Sequence, residues 1–270
     1  MATSEPSPYV ISGGLAGRER LRVLARVMAP TTSALLDRLG ELTGLRCLDA
    51  GCGGGDVTRE LARRAGADGD VVGVDLDETK LRLAHEESAS LSNIQFRTVR
   101  IGEDPIDGVF DLVYSRFLLT HLPDPLIAMK EFHRVARPGG VIALEDIDFS
   151  GYLAHPFSAA HRRFADLYCA AVRRRGADPD IGPKLPVMLR RHGFTDIQVS
   201  IVQPVGLTGD VKLISPITVE NIAEAVVGAG LATKEEMISL AQELYADAAD
   251  PSTLAGMPRV VQTWARKGGA

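Results

Sequence analysis

Apolar runs alternate with amphipathic segments between residues 45 and 150. Five runs, each bounded by polar or glycine-rich positions, predict strands at 45–49, 71–74, 94–99, 109–114 and 141–145. Between the runs, apolar residues recur three or four positions apart, which predicts helices beginning near residues 56, 78 and 127. Strands that alternate with helices favour a parallel sheet covered on both faces, and right-handed crossovers make that sheet doubly wound. The predicted fold class is therefore α/β.

The flanking segments are predicted to be mainly helical. Apolar residues at helical spacing begin at Gly17, and Pro30 is expected to end this helix before a second one starts. The first helix carries arginines that suit either a catalytic or phosphate-binding cluster or, as we favour, a solvated face: Arg18, Arg20, Arg22 and Arg26. Beyond residue 150 the pattern predicts helices over 161–174 and 185–192, a helix begun by a Thr233–Glu236 capping box, and strands at 197–202 and 260–265.

Composition narrows the class of protein. The chain is 45% hydrophobic and 24% charged, as soluble globular domains are, and no apolar run approaches the roughly 20 residues of a membrane-spanning helix. A net charge of -5 argues against a nucleic-acid partner. Three cysteines without metal-ligand spacing predict no metal site and fit reduced thiols in the cytoplasm. The N-terminus lacks the pattern of a secretory signal.

The segment Leu48–Asp56, LDAGCGGGD, lies between the first predicted strand and its helix. Gly51 and Gly53 allow the backbone to approach a ligand without an intervening Cβ atom. One acid, Asp49, ends the first strand, and another, Asp75, ends the second, where carboxylates commonly bind the two hydroxyls of a ribose. A tight turn without a ligand is the alternative, but a glycine turn combined with a ribose acid at this spacing favours a nucleoside-containing cofactor.

The residue that follows the glycines distinguishes between such cofactors. The dinucleotide fingerprint G-x-G-x-x-G requires a third glycine at position 56, where this chain has Asp56. A carboxylate at a helix start repels a pyrophosphate, which disfavours a nicotinamide cofactor. A cofactor with a sulfonium, an ammonium and no phosphate suits this loop better, and S-adenosylmethionine meets that description.

Four sequence motifs resemble those of a known family. The runs LDAGCGGGDVTREL, VVGVDLDETKL, FDLVYSRFLLTHLPDP and FHRVARPGGVIALED lie in order across residues 45–148. They are similar to motifs of the class I S-adenosylmethionine-dependent methyltransferases, in particular the ubiquinone/menaquinone-type and bacterial small-molecule branch. The resemblance extends to YVISGG near the N-terminus and to DIGPKLPVMLRRHGF. It implies a Rossmann-like, mostly parallel seven-stranded sheet with N-terminal helices and a C-terminal helical lid.

The resemblance also implies residue-level contacts with S-adenosylmethionine and its product S-adenosylhomocysteine. The residues implied to contact the methionine portion are Asp49, Ala50, Gly51, Gly53, Ser115 and Arg116. Asp75 would bind the ribose hydroxyls, with Leu76 beside the adenine. Tyr9 matches an N-terminal tyrosine that closes over the cofactor in this family.

The chain departs from the family at one position. The acid that usually contacts the adenine amine, a few residues after the third strand, is replaced by Arg100. Two arrangements would compensate for this change. Either Glu103 or Asp104 takes the place of the acid, or the adenine is held by backbone and apolar contacts through Ile101.

Methyl transfer is an in-line displacement on a carbon already activated by a sulfonium, so positioning supplies much of the rate. A hydroxyl acceptor also needs a general base. The candidates are His121, after the fourth strand, and Asp146, which lies with Glu145 and Asp148 after the fifth. Each has a structural alternative. His121 is equally suited to a helix start, where it would bond the backbone, and the acids are equally suited to a solvated loop.

These expectations combine into one function. The protein is expected to transfer a methyl group from S-adenosylmethionine to an O, N or C atom of a small secondary or quinone-like metabolite in the cytoplasm. The alternatives are a non-methylating binding or cyclising protein on the same fold and, less favoured, an NAD-dependent oxidoreductase. We expect one domain over 1–270, compatible with a homodimer. Its parts are a helical cap at 1–44, a cofactor-binding core at 45–150, and a substrate lid with the last strands at 151–270.

Overall fold

A seven-stranded sheet forms the centre of the protein. The computed structural model describes residues 14–269, with side chains from residue 17. The strands are β1 Arg46–Ala50, β2 Asp70–Asp75, β3 Ile94–Thr98, β4 Phe110–Arg116, β5 Ala136–Asp148, β6 Ala154–His155, β7 Phe194–Val202, β8 Val205–Gly206, β9 Leu254–Gly256 and β10 Arg259–Lys267. Within the described residues the large sheet has the order β3-β2-β1-β4-β5-β10-β7; β1 to β5 are parallel, and β10 is antiparallel to both neighbours. The predicted mostly parallel, doubly wound sheet is confirmed.

Helices cover both faces of this sheet. They are α1 Gly14–Leu39, α2 Asp56–Ala65, α3 Glu78–Glu87, α4 Pro125–Val135, α5 Ala159–Arg174, α6 Leu185–Arg191, α7 Asp210–Gly228 and α8 Lys234–Ala249. Side chains of one strand alternate between the faces: in β1, Cys47 packs with α1 and α2, whereas Leu48 packs with α4 and α6. Because both faces are apolar, each parallel strand is a nearly continuous apolar run in the sequence.

A second apolar layer covers the carboxyl edge of the parallel strands. Helices α5, α7 and α8 pack together there with Phe149, which follows β5. On the other side, Leu24 and Met28 of α1 pack with Ile214 of α7. Helices α1, α5, α7 and α8 therefore cover the edge of the sheet at which open α/β sheets bind their ligands.

Two expectations about regular structure are wrong. Helix α1 runs without a break through Pro30, which is exposed, because Met28 and Leu35 on either side of the proline are fully buried and hold both halves in line. A small three-stranded sheet, β6-β9-β8, is also absent from the predicted elements. Its strands contain only two or three residues and are too short to show a periodic pattern.

Three features of the described residues concern membranes, metals and thiols. Among residues 14–269, no helix combines the length and the apolar character that crossing a bilayer requires. Nor do the described side chains include three His, Cys, Asp or Glu residues grouped to hold a metal ion. The three cysteines, Cys47, Cys52 and Cys169, are free thiols.

Candidate functional site

A cavity at the carboxyl edge of the parallel strands joins the glycine segment to the lid helices. It encloses about 1200 Å³ of empty space, counting its open mouth. One end, which we call the loop end, is lined by Asp49, Gly51, Gly53, Asp56 and Asp75. The opposite end, the lid end, is lined mainly by α1, α5, α7 and the segment after β4, and includes Arg20, His121, Phe149, Tyr168 and Thr218.

The glycine segment adopts a conformation that favours glycine. Gly51 and Gly53 have φ angles of 74° and 51°. A Cβ atom added to Gly51 would lie 3.0 Å from Cδ1 of Leu118, closer than an ordinary contact, so Leu118 would have to move to admit a side chain. The N–H of Gly51 donates to the carbonyl of Val74 at 2.8 Å, and the N–H of Gly53 donates to Oδ2 of Asp75 at 2.9 Å. The segment is therefore fixed against the end of β2.

Asp75 ends β2 and lines the cavity. Its carboxylate accepts hydrogen bonds from the N–H of Gly53 at 2.9 Å and from the N–H of Asp77 at 3.0 Å. An ionised carboxylate has about four acceptor sites, so acceptor capacity remains for the hydroxyl groups of a ligand. Asp75 therefore orders the glycine segment and also offers acceptors to a ribose.

Asp49 is buried at the loop end, with 2% of its surface exposed. Its Oδ2 accepts a hydrogen bond from the hydroxyl of Thr58 at 2.6 Å. Burial raises the pKa of Asp49 to about 7; the hydrogen bond from Thr58 opposes this rise, and the charge of Asp56 adds to it. The loop end is thus acidic and poorly solvated, which favours a cationic sulfonium or ammonium group as its ligand.

Replacing Asp49 with asparagine should change how the stability of the cofactor-free protein depends on pH. An acid whose pKa is raised by folding binds more protons in the folded state, so the contribution of Asp49 to wild-type stability falls as pH rises from about 4 to about 7. Asparagine does not titrate. Over that range, the free energy of unfolding of Asp49→Asn minus that of the wild type should therefore increase with pH, by at most about 1.4 kcal/mol per pH unit.

Urea unfolding at a series of pH values measures this difference. The matched control is Asp68→Asn, because Asp68 is an exposed acid in the turn before β2. Its difference from the wild type should change far less over the same range. If the difference between Asp49→Asn and the wild type is equally constant with pH, the Asp49 carboxyl does not have a raised pKa in the folded protein.

The end of β4 contributes two predicted cofactor contacts, which have different surroundings. Arg116 lines the cavity and donates to Oδ2 of Asp56 at 2.6 Å and to the hydroxyl of Thr32 at 3.1 Å. Burial alone would lower the pKa of Arg116, but the neighbouring Asp56 more than offsets this effect, so the pKa is raised. Ser115 instead donates to the carbonyl of Ala50 at 2.8 Å, which ties β4 to β1 behind the cavity lining.

His121 lines the lid end from a short 3-10 helix over Leu119–His121. Burial lowers the pKa of His121 to about 3, and the positive charges of Arg20, Lys80 and Arg175 lower it further. The imidazole is therefore neutral at physiological pH. A neutral ring has one acceptor nitrogen, which makes proton acceptance chemically available at this end of the cavity.

Asp146 lies behind this short helix and does not line the cavity. Its carboxylate accepts hydrogen bonds from the N–H of Thr120 at 3.2 Å and from the N–H of Ile147 at 2.9 Å. Burial raises the pKa of Asp146 to about 7, against the lowering effect of these backbone hydrogen bonds. These contacts suit a residue that positions the His121 segment rather than one that touches a ligand.

The acids on either side of Asp146 are internal links of the fold. Glu145 accepts hydrogen bonds from three side chains, those of Thr32, Tyr114 and Gln262. Asp148 pairs with Arg259 at 2.7 Å. Both carboxylates are buried, so the solvated-loop alternative is wrong. The reason is that β5 extends to Asp148 and is covered there by other elements.

The structure brings half of the predicted site residues together around the cavity: Asp49, Gly51, Gly53, Asp75, Arg116 and His121. Ala50, Ser115 and Asp146 are buried beside it without lining it. Leu76 and Ile101 are half-buried and are also not among its lining residues. The predicted contact at Tyr9 lies outside the described residues.

Arg100 and the two acids after it, at the position where the family has its adenine-contacting acid, bond to one another. The Arg100 side chain pairs with Glu103 at 3.4 Å, and the backbone N–H of Arg100 donates to Oδ2 of Asp104 at 2.8 Å. Neither acid lines the cavity. Ile101 packs against the apolar cluster that includes Ala128 and Met129 of α4. The two acids therefore stabilise their own turn.

The expectation that the α1 arginines form a solvated face is wrong for Arg18 and Arg20. Arg18 is buried and donates to the carbonyl of Gly54 at 2.9 Å, and Arg20 lines the cavity. One sequence signal could have identified Arg20: it lies three residues after Gly17 and four before Leu24, and both of these also line the cavity. Tyr168 and Thr218 of the lid end were missed because their helices lie far away in the sequence.

Comparison with known proteins identifies the family. A family model described as a methyltransferase domain matches residues 42–178, just over half of the chain, and includes the glycine segment and Asp75. The chain belongs to this methyltransferase family. The resemblance to class I S-adenosylmethionine-dependent methyltransferases is thereby confirmed, with S-adenosylmethionine as the cofactor, and the oxidoreductase alternative is discarded. The loop end fits that cofactor, since it offers a cradle without Cβ atoms, acceptors for a ribose and acids for a cation.

Individual relatives match parts of the methyltransferase. A Staphylococcus aureus protein named demethylmenaquinone methyltransferase is 38% identical over 105 residues, which are 38% of this chain and 44% of that relative. The matched region thus spans less than half of the relative's length. Among solved structures, phosphoethanolamine N-methyltransferase 2 from Haemonchus contortus has a TM-score of 0.58 at 18% identity, over 93% of this chain and 58% of that one. The cyclase SpnF has a TM-score of 0.53 at 21% identity, over 88% and 81%. Both structures show a shared fold.

Proposed function

We propose that this methyltransferase transfers the methyl group of S-adenosylmethionine to a small molecule held at the lid end of the cavity. The observation that carries the proposal is the continuity of this space, which runs from Gly51 and Asp75 to Phe149 and Tyr168. A methyl donor at the loop end and an acceptor at the lid end would meet without intervening backbone. Orienting two reactants in this way contributes about 7–11 kcal/mol relative to free encounter.

The chain's own residues would hold the cofactor at the loop end. Asp75 would accept the ribose hydroxyls with the acceptor sites that its backbone contacts leave unused. The backbone of residues 50–53 would lie along the methionine portion, and Asp49 and the Arg116–Asp56 pair would set the charge around it. When bound, S-adenosylmethionine supplies an activated methyl carbon. The protein then has to orient the acceptor, exclude water and accept a proton.

The lid end suits an acceptor with a flat ring. The rings of Phe149 and Tyr168 stack with centroids 4.4 Å apart, and Phe164 meets Phe149 edge-on at 5.7 Å. Ile147 and Met257 extend this apolar lining. An aromatic or quinone-like ring would stack on such a surface. The name of the Staphylococcus aureus relative, demethylmenaquinone methyltransferase, supports the same class of acceptor.

Replacing His121 with alanine should lower kcat by about tenfold to a hundredfold, at or below the lower limit of the roughly hundredfold to ten-thousandfold effect of a general base, because an imidazole with a pKa of about 3 is a weak base. The Kd for S-adenosylhomocysteine should change by less than about twofold, since His121 lies at the lid end. The control is His85→Ala, on the exposed side of α3. An unchanged kcat would exclude His121 from proton transfer.

The domain organisation, compartment and partners of the enzyme are part of the same proposal. Residues 1–270 would form one domain, with a helical cap at 1–44, a cofactor-binding core at 45–150 and a substrate lid at 151–270. The free thiols support work in the reducing cytoplasm. The net charge of -5 supports a small-molecule partner over nucleic acid. Sedimentation would decide between a monomer and a homodimer.

Label transfer tests the proposed function. The purified protein is incubated with S-adenosylmethionine carrying carbon-13 in its methyl group and with fractions of a bacterial metabolite extract. We expect S-adenosylhomocysteine and one labelled product in equal amounts, and less of both with the Asp75→Ala variant at the same cofactor concentration. If the wild type binds the cofactor but forms neither compound from any fraction, the non-methylating alternative is correct; the fold alone does not exclude it, because a cyclase shares it.

A further inference from the structure

Arg20 places a positive charge at the lid end without a carboxylate partner among residues 17–269. Its Nε donates to Oγ1 of Thr218 at 3.2 Å, which is its one hydrogen bond within the described part of the chain. The other arginines at this end of α1 each contact a carboxylate: Arg18 and Arg22 that of Glu87, and Arg26 that of Asp210. Among the side chains of residues 17–269, none other bonds the guanidinium of Arg20, which leaves its terminal N–H groups to a ligand.

Charge is divided along the cavity. Among the described residues, the carboxylates that line it all lie at the loop end: Asp49, Asp56 and Asp75. Two of the cations that line the cavity contact carboxylates: Arg116 pairs with Asp56 and Lys80 with Asp77. The polar side chains of the lid end are those of Arg20, Thr120, His121, Tyr168, Ser215 and Thr218. The loop end is thus matched to a cationic cofactor. The lid end carries a cation that the described residues do not neutralise.

A guanidinium in this position is matched to an anion. Burial lowers the pKa of Arg20, while the neighbouring Tyr168 acts in the opposite direction. An arginine nevertheless keeps its proton in proteins, so the desolvated charge is stabilised chiefly by an opposite charge. A carboxylate is the best match, because it accepts two parallel hydrogen bonds from the guanidinium fork.

We propose that the methyl acceptor is an aromatic acid, whose carboxylate binds Arg20 while its ring stacks on the Phe149–Tyr168 surface. This inference rests on the proposed function and adds the charge of the acceptor to it. The methionine portion of the cofactor also carries a carboxylate. We assign Arg20 to the acceptor because its guanidinium bonds to Thr218 of α7, on the lid side of the cavity.

Binding to the protein saturated with S-adenosylhomocysteine tests the assignment. The probes are benzoate, salicylate, protocatechuate and the naphthoates, each compared with its uncharged amide by calorimetry. The wild type should bind at least one acid roughly tenfold or more tightly than its amide, as expected when a charge-assisted hydrogen bond is gained. Arg20→Gln should remove this preference, and Arg20→Lys should keep part of it because the charge remains.

The matched control is Arg22→Gln, an exposed arginine two positions along the same helix, which should keep the full preference. S-adenosylhomocysteine should bind Arg20→Gln within about twofold of the wild type, and circular dichroism checks its fold. The inference is overturned if the wild type prefers no acid over its amide, or if Arg20→Gln keeps the preference. An equal loss of S-adenosylhomocysteine affinity would assign Arg20 to the cofactor instead. Because these titrations measure binding, they can fail while label transfer succeeds, and the reverse.

Discussion

Replacing Asp75 with alanine should weaken S-adenosylhomocysteine binding by at least roughly tenfold, because each charge-assisted hydrogen bond to a ribose hydroxyl contributes about 1.5–3 kcal/mol. The change has a second effect in the same direction. It removes the acceptor for the N–H groups of Gly53 and Asp77. The bond from Gly53 is the one that holds the glycine segment against the end of β2. Calorimetric titration of the purified variant measures the Kd.

The control for Asp75→Ala is Asp68→Asn, which removes an exposed carboxylate just before the same strand and should leave the Kd unchanged. Asp75→Asn should give an intermediate Kd, since its amide oxygen still accepts from the backbone of the glycine segment. If Asp75→Ala is folded and binds S-adenosylhomocysteine as tightly as the wild type, then Asp75 is not the ribose ligand.

Replacing Glu145 with alanine should destabilise the protein by about 2–6 kcal/mol. Glu145 Oε1 accepts from the hydroxyl of Thr32 at 2.8 Å and from that of Tyr114, and Oε2 accepts from the amide of Gln262 at 2.9 Å. These bonds link α1, β4 and β10 through β5. Removing the acid leaves at least two buried hydroxyls without this acceptor, and each unsatisfied buried group costs about 1–3 kcal/mol.

Urea unfolding followed by circular dichroism measures the loss. Glu145→Gln is the matched control, because its amide oxygen keeps an acceptor for Thr32 or Tyr114 and should retain much of the stability. The cofactor affinity of folded Glu145→Ala should change little, since Glu145 does not line the cavity. An alanine variant as stable as the wild type would show that the hydrogen-bond network does not hold these elements together.

The parallel core was predictable because its signals are local. A buried parallel strand is an apolar run, and its helix follows within a few residues, so β2 and α3 agree with the sequence expectations to within one or two positions. The glycine segment was equally readable. The glycine residues at positions 51 and 53 have positive φ angles, which are a local property of the turn.

The lid end was not predictable in the same way. Three helices contribute Arg20, Tyr168 and Thr218. Two of these helices, α1 and α5, are more than a hundred residues apart in the sequence. A periodic pattern tells which face of a helix is buried but not which faces of different helices meet. For that reason all four α1 arginines were assigned to a solvated face, which is wrong for Arg18 and Arg20.

The acids at the end of the fifth strand illustrate a second limit of sequence-based prediction. Their position at the carboxyl edge was expected correctly, but the direction of each side chain depends on the strand continuing. Because β5 extends to Asp148, successive side chains point to opposite faces. Glu145 therefore joins Tyr114 and Gln262, whereas Asp146 holds the backbone of the His121 segment. Neither lines the cavity.

A crystal structure of the S-adenosylhomocysteine complex tests the two-ended cavity most directly. We predict that the ribose hydroxyls contact Asp75, that the homocysteine portion lies along residues 50–53, and that the sulfur faces the space between His121 and the Phe149–Tyr168 surface. A ligand bound outside the cavity, or one whose sulfur faces away from the lid end, would contradict the account.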